Sequence, residues 1–212
     1  MFKILHFIFL FLLTSCFSQK TITESDLKNG DLIFVEAREE NLSGAINRVT
    51  QKSEVANFDH LGLIEISSNG IFVLHASPEL GSAKEPLKDF YEKNLETQQE
   101  MVIYRLKKEY QSAIPKAIEE AKQMLDKPYN FTYILNEESY YCSDFVERAF
   151  RESGVFEHIP MNFKNKEGEI DSFWISFYEK MQLEVPQDQA GTNPNQLAGS
   201  DKLIRIGKFS RN

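Results

Sequence analysis

Apolar positions along this chain change their spacing several times, and each change marks an element. Leu32, Ile33, Phe34 and Val35 form a short continuous run in residues 31–36, preceded by an Asn29-Gly30 turn, and read as a strand. Leu42, Ala45, Ile46 and Val49 recur every three or four positions, which predicts a short helix over Asn41–Thr50. Two more apolar runs, residues 60–66 and 71–76, flank Ser67-Ser68-Asn69-Gly70, a good hairpin signal. Residues 86–94 read as a short helix and Met101–Leu106 as a strand. Residues 112–125 carry Ile114, Ala117, Ile118, Ala121 and Leu125 on one helical face, with Pro115 tolerated in the first turn. Phe145, Val146, Ala149 and Phe150 predict a further helix, with Ser139 as N-cap and Gly154 as stop. Beyond it, residues 173–183 can bury aromatics as a helix, and 202–206 read as a final strand. Residues 21–28 read as linker, and 51–59 and 187–199 as loops.

Composition adds bounds. A chain of 212 residues, 42% hydrophobic, suits one globular domain, here 20–212. A net charge of −8 argues against nucleic acid or an anionic membrane surface as partner through bulk electrostatics. Residues 1–19 read as a secretory signal, with Lys3 ahead of an apolar stretch (4–13) too short for a comfortable membrane span. Leu13-Thr14-Ser15-Cys16 resembles a bacterial lipobox, in which Cys16 is acylated and becomes the mature N-terminus; cleavage after Ser18 is the competing reading. The expectation is a periplasmic or membrane-anchored protein that touches the bilayer only through that lipid. Either way Cys142 remains as a lone thiol in an oxidising compartment, where a cysteine is buried or used.

The mature histidines are His60, His75 and His158. His60 opens one arm of the predicted hairpin and His75 closes the other, so antiparallel pairing brings them to one end of the ribbon. Cys142 falls in the first turn of its helix, where free N–H groups and the dipole bias a thiol toward thiolate. Thiol-dependent hydrolysis needs a sulfur, an imidazole within reach, and a polar group that orients the imidazole. Cys142, His60 and His75 supply those types. Each also has a bland role: a small buried hydrophobe for Cys142, a structural or surface position for His60, a core residue bonding backbone for His75. His158 reads as solvated loop, and Asp144 as a solvent-facing residue or a loop brace. A metal site from His60, His75 and Asp59 lacks any supporting ligand spacing, and no metal or organic cofactor is required.

Six segments, in order, resemble the YiiX-like proteins: Gly30-Asp31-Leu32-Ile33-Phe34, Asp59-His60-Leu61-Gly62, Val73-Leu74-His75-Ala76, Leu125-Asp126-Lys127-Pro128-Tyr129-Asn130-Phe131, Tyr141-Cys142-Ser143-Asp144 and Thr192-Asn193-Pro194-Asn195-Gln196-Leu197. Those proteins are circularly permuted papain-like relatives of the NlpC cell-wall peptidases, and distantly of lecithin retinol acyltransferase. The resemblance implies an α+β fold, an antiparallel sheet or partial barrel packed on helices, with the histidine strands ahead of the cysteine helix. It implies Cys142 as nucleophile and His60 as base. Relatives often carry Glu where this chain has His75, although Cys-His-His sets also occur. Tyr129, Tyr141, Thr192 and Asn193 are candidates for the substrate and oxyanion walls. The expected activity is hydrolysis of an amide in cell-wall-derived peptides or small amino-acid amides. Lipid thioester chemistry, as hydrolase or acyltransferase, and a non-catalytic module binding cell-wall fragments are the alternatives.

Overall fold

The computed structural model describes residues 20–38, 41–50 and 57–211. The predicted signal and Cys16 lie outside them, as does most of the predicted 51–59 loop. In chain order the elements are β1 (Thr21–Ile22), β2 (Leu32–Glu36), α1 (Asn41–Thr50), β3 (Phe58–Ser67), β4 (Gly70–Ser77), β5 (Gly81–Pro86), α2 (Leu87–Glu96) and β6 (Met101–Leu106). There follow α3 (Ile114–Gln123), α4 (Cys142–Phe150), β7 (Ile159–Pro160), α5 (Ser172–Lys180), β8 (Ala190–Gly191), α6 (Pro194–Ala198) and β9 (Leu203–Phe209). Seven strands form one open sheet in the order β1-β9-β6-β2-β3-β4-β5, and β7 pairs with β8 separately. Every ladder is antiparallel except β1 on β9.

Strand alternation sorts the core into two layers. Leu61, Leu63, Leu74 and Ala76 face α3 and α4, packing with Phe145, Val146, Ala149 and Phe150. Ile33, Val35, Ile64 and Val73 face the other way, onto Leu87 and Phe90 of α2. A third cluster joins α1 and α5 through Ala45, Val49, Tyr133, Tyr141, Met161 and Trp174. Helix α4 is buried along its whole length, unusual for a helix with three charged residues. Arg148 makes this possible: it bonds Asp144 at 2.7 Å, Glu137 at 2.6 Å and the Asn136 carbonyl at 2.8 Å. Buried charges persist only when paired in this way. Asp144 is therefore a loop brace and not a solvent-facing residue. Likewise Asp31 is fully buried against Arg105 through two bonds of 2.6 and 2.7 Å, locking the turn before β2.

Several expectations need correction. Thr21–Ile22 is a strand and not linker, because it pairs with Lys208 and Phe209 and covers the edge of β9. Strand β5 was absent from the sequence pattern, and the expected 187–199 loop contains β8 and α6. The N-cap of α4 is Tyr141, with no side-chain cap; Ser139 instead donates to Asn136 Oδ1 at 3.0 Å. Gly154 does stop the element, in the left-handed region (φ 61°), after one 3₁₀ turn that follows α4.

Candidate active site

Cys142 is the first residue of α4 and 4% exposed. Its Sγ lies 3.8 Å from the carbonyl oxygen of Asp59, the residue before His60. Backbone N–H groups of Ser143, Leu61 and Cys142 point at the sulfur. They favour a thiolate, but burial outweighs them and, with the Asp59 charge, pushes the thiol up to about 12. With those N–H groups already counted, the balance against the anion is on the order of 4 kcal/mol. The resting sulfur is thus a neutral thiol, contrary to the bias read from its helix position.

The start of α4 is clamped. Tyr141 Oη accepts the Thr192 N–H at 3.1 Å, and Thr192 Oγ1 bonds Ser143 Oγ at 3.0 Å. Thr192 thereby acts as a brace, with its N–H and its hydroxyl both engaged. Asn193 Oδ1 accepts the Gln196 N–H at 2.8 Å and caps α6. Both still line the cavity beside Cys142, together with Tyr129 and Tyr141. Burial raises both phenols, which keeps them neutral hydrogen-bond donors.

His60 sits on the other side of the sheet. Alternation turns its ring away from Leu61 and onto Phe90, with centroids 6.0 Å apart and nearly parallel planes. His60 Nε2 meets His75 Nδ1 at 2.9 Å, and His75 Nε2 lies 3.0 Å from Glu85 Oε2, off the ideal N–H line. The chain thus runs imidazole, imidazole, carboxylate across three adjacent strands. Gly62 lies between the histidines: a Cβ there would come within 2.3 Å of Val73 and 3.1 Å of the His75 Cβ. Burial first, then the nearby His75 and Lys93, hold the His60 imidazole well below the usual histidine range. Nδ1 of His60 is the nitrogen that the relay leaves for a reacting partner.

Asp59 and His60, consecutive near the start of β3, link the two sides: the Asp59 carbonyl faces the sulfur, and the His60 ring heads the relay on the opposite face. A bulge between Val35 and Glu36 skips Asp59 in the ladder, so Phe58 returns to the first core layer while Asp59 turns toward the sulfur. Two cavities adjoin there: one holds Cys142, the other His60, His75 and Glu85, and both are lined by Ile46, Asp59 and Tyr129. Asn195 positions this corner, accepting the Phe58 N–H at 2.7 Å and donating to Thr50 Oγ1 at 2.9 Å. Glu85 and Asn195 were missed as site residues. Asn195 stood inside a quoted motif, but nothing in its sequence context separates a clamp from a loop asparagine.

Among the described residues, Asp144, Glu147 and His158 place ligand-type atoms within 4.8 Å of one another. Arg148 already holds Asp144, and Arg151 holds Glu147 at 2.5 Å, so guanidinium groups fill the place of a cation. His158 is an exposed loop residue, as expected, whose Nε2 lies 3.1 Å from Glu147 Oε2.

Residues 26–207 match the family described as permuted papain-like amidase enzymes, YaeF/YiiX, C92 family. The chain belongs to this family. Its members are cysteine-type amidases, so this chain is a papain-like amidase with the histidine strands ahead of the cysteine helix. A crystal structure titled metalloprotein yiiX from Escherichia coli O157:H7 shares the fold, with a TM-score of 0.66 and 22% identity over 85% of this chain and 97% of that one. No curated protein matches. The mostly antiparallel open sheet packed on helices is the architecture that the resemblance implied.

Proposed function

We propose that the chain hydrolyses amides with Cys142 as nucleophile and His60 as general base, His75 and Glu85 orienting that base. The observation that carries this reading is the placement of the only described thiol, 3.8 Å from the carbonyl preceding a histidine that heads a buried relay. Because thiol and imidazole are both neutral at rest, attack and proton transfer occur together, with no preformed ion pair. The thiol proton moves to His60, and the imidazolium is stabilised through His75 by the Glu85 carboxylate. The Cys142 N–H and the phenols of Tyr129 and Tyr141 are the candidate donors to the oxyanion. Substrates drawn from cell-wall peptides or small amino-acid amides, and export with a lipid at Cys16, complete the proposal. The yiiX neighbour is titled a metalloprotein, but the trio around Glu147 here is neutralised by arginines, and no step is routed through a metal. The test is hydrolysis of amide and peptidoglycan-peptide substrates by wild type and Cys142→Ala; equal rates would remove Cys142 from the reaction.

The aromatic walls beside Cys142 favour a second reading, acyl transfer from lipids through a thioester. Release of acyl groups to an added amine instead of water would identify it.

A further inference from the structure

Tyr133 carries two costs that nothing in the resting fold offsets. Its backbone is in the left-handed region, at φ 56°, where a residue with a Cβ crowds the following carbonyl. Its hydroxyl is buried without a hydrogen-bond partner, in a residue only 8% exposed. The Tyr129 hydroxyl is near enough to interact with it, but outside hydrogen-bonding geometry. The surrounding loop enforces this conformation from both sides. Tyr178 Oη donates to the Thr132 carbonyl at 2.9 Å, and Asn130 Nδ2 donates to the Ile134 carbonyl at 2.8 Å. Asn130 Oδ1 also accepts the Thr132 N–H at 3.0 Å. The Tyr133 ring is fixed edge-on against Tyr141 and Trp174, with centroids 5.3 and 5.8 Å away. Backbone strain held this firmly collects at sites where a side chain must be aimed.

Tyr133 lines the cavity that holds Cys142 and lies within electrostatic reach of the sulfur. Burial raises the phenol, so it stays protonated and offers one O–H. Tyr141, by contrast, already engages Thr192. Trp174 Nε1 is a second buried donor without a partner, but it rides on α5, where helix packing places the ring whatever it carries. Resting on the amidase reading above, we propose that Tyr133 is a catalytic residue: its hydroxyl donates a hydrogen bond to the carbonyl oxygen of the scissile amide as that oxygen becomes an anion. In that step the Sγ–C bond forms, the thiol proton passes to His60, and the carbonyl π pair moves onto oxygen. The Tyr133 O–H meets that charge and keeps its own proton. The pair then returns, the C–N bond breaks, and the amine leaves with the His60 proton. Water repeats the passage on the thioester: its hydroxyl joins the carbon, and its proton passes through His60 to the departing sulfur. A donor without a resting partner has no bond to break before it meets the charge, which is the preorganisation that lowers a barrier.

Removing the hydroxyl alone separates this role from a structural one, because the two predict opposite changes in stability. Tyr133→Phe deletes an unpartnered buried group and should melt about 2–4 °C above wild type. It should also acylate Cys142 about 10²-fold more slowly, the usual loss with one oxyanion donor. The probes are N-acetylalanine p-nitroanilide and p-nitrophenyl acetate, with acylation read by chromophore release and by the mass of the Cys142 peptide. Cys142→Ala is the blank. Wild-type rates in Tyr133→Phe overturn this inference and leave the amidase reading in place. A slower variant that melts below wild type overturns it too, because the hydroxyl would then be holding the fold. If wild type releases no more chromophore from either probe than Cys142→Ala and gains no acyl mass, the amidase reading fails and this inference with it.

Discussion

Cys142 and His60 reach one corner of the molecule from opposite faces of the same sheet, and they are held there by different means. The sulfur is placed by packing: α4 is wholly buried, and its first turn is pinned by Tyr141, Ser143 and Thr192. The imidazole is placed by a polar chain through His75 to Glu85, roofed by Phe90. Packing tolerates little displacement, because a rigid helix start carries the nucleophile with it. A hydrogen-bonded chain loses function by degrees, since each link acts through the previous one. The nucleophile side should therefore fail abruptly and the base side gradually.

Substitutions test this contrast in descending order of effect. Cys142→Ala should reduce amide hydrolysis by roughly 10⁴-fold or more, leaving a residual rate from binding alone. His60→Ala should cost about 10²–10⁴-fold in kcat, the usual worth of a general base. His75→Ala should fall near 10²-fold, and Glu85→Gln near 10-fold, with a downward slope from His60 to Glu85 in kcat measurements. If Glu85→Gln matched His60→Ala, the graded picture would be wrong. A Thr192→Val variant removes the hydroxyl bond to Ser143 and should cost about 1 kcal/mol of stability by denaturant unfolding.

Titration separates the two sides further. A thiol pushed up to about 12 is protonated at neutral pH, so iodoacetamide alkylation of Cys142 should climb about 10-fold per pH unit between pH 7 and 9. A plateau in that interval would reveal a preformed thiolate. The base must be neutral to act, and its protonation lies well below 6.5. Activity should therefore survive acidification past pH 6.5, falling only as pH drops through that lowered value. An acid limb of kcat/KM centred at or above 6.5 would contradict the buried relay.

The parts of the fold that could be read in advance are those whose apolar spacing repeats. Residues 58–77 form the expected hairpin, and the periodic stripe around Phe145 forms α4, because both bury one face against a neighbour. Strand β5 escaped notice for a physical reason: Gly81-Ser82-Ala83-Lys84-Glu85-Pro86 is an edge strand with alternating exposure and no apolar run. With it escaped Glu85. Strand β5 is held instead by long-range bonds, Ser82 Oγ to the Met124 carbonyl at 2.6 Å and Ser82 N–H to the Lys127 carbonyl at 2.8 Å. Likewise α6 is five residues long and shows no periodicity, yet its Asn195 ties β3 to α1.

Residue order alone determined which chemical groups this protein possesses, and that a hairpin would bring His60 and His75 together, because strand pairing follows from local pattern. Only the tertiary structure decided that a carboxylate from an unpatterned edge strand stands behind them. It also decided the protonation of Cys142: the free N–H groups of its helix are local, but the desolvation that overrules them comes from residues distant along the chain.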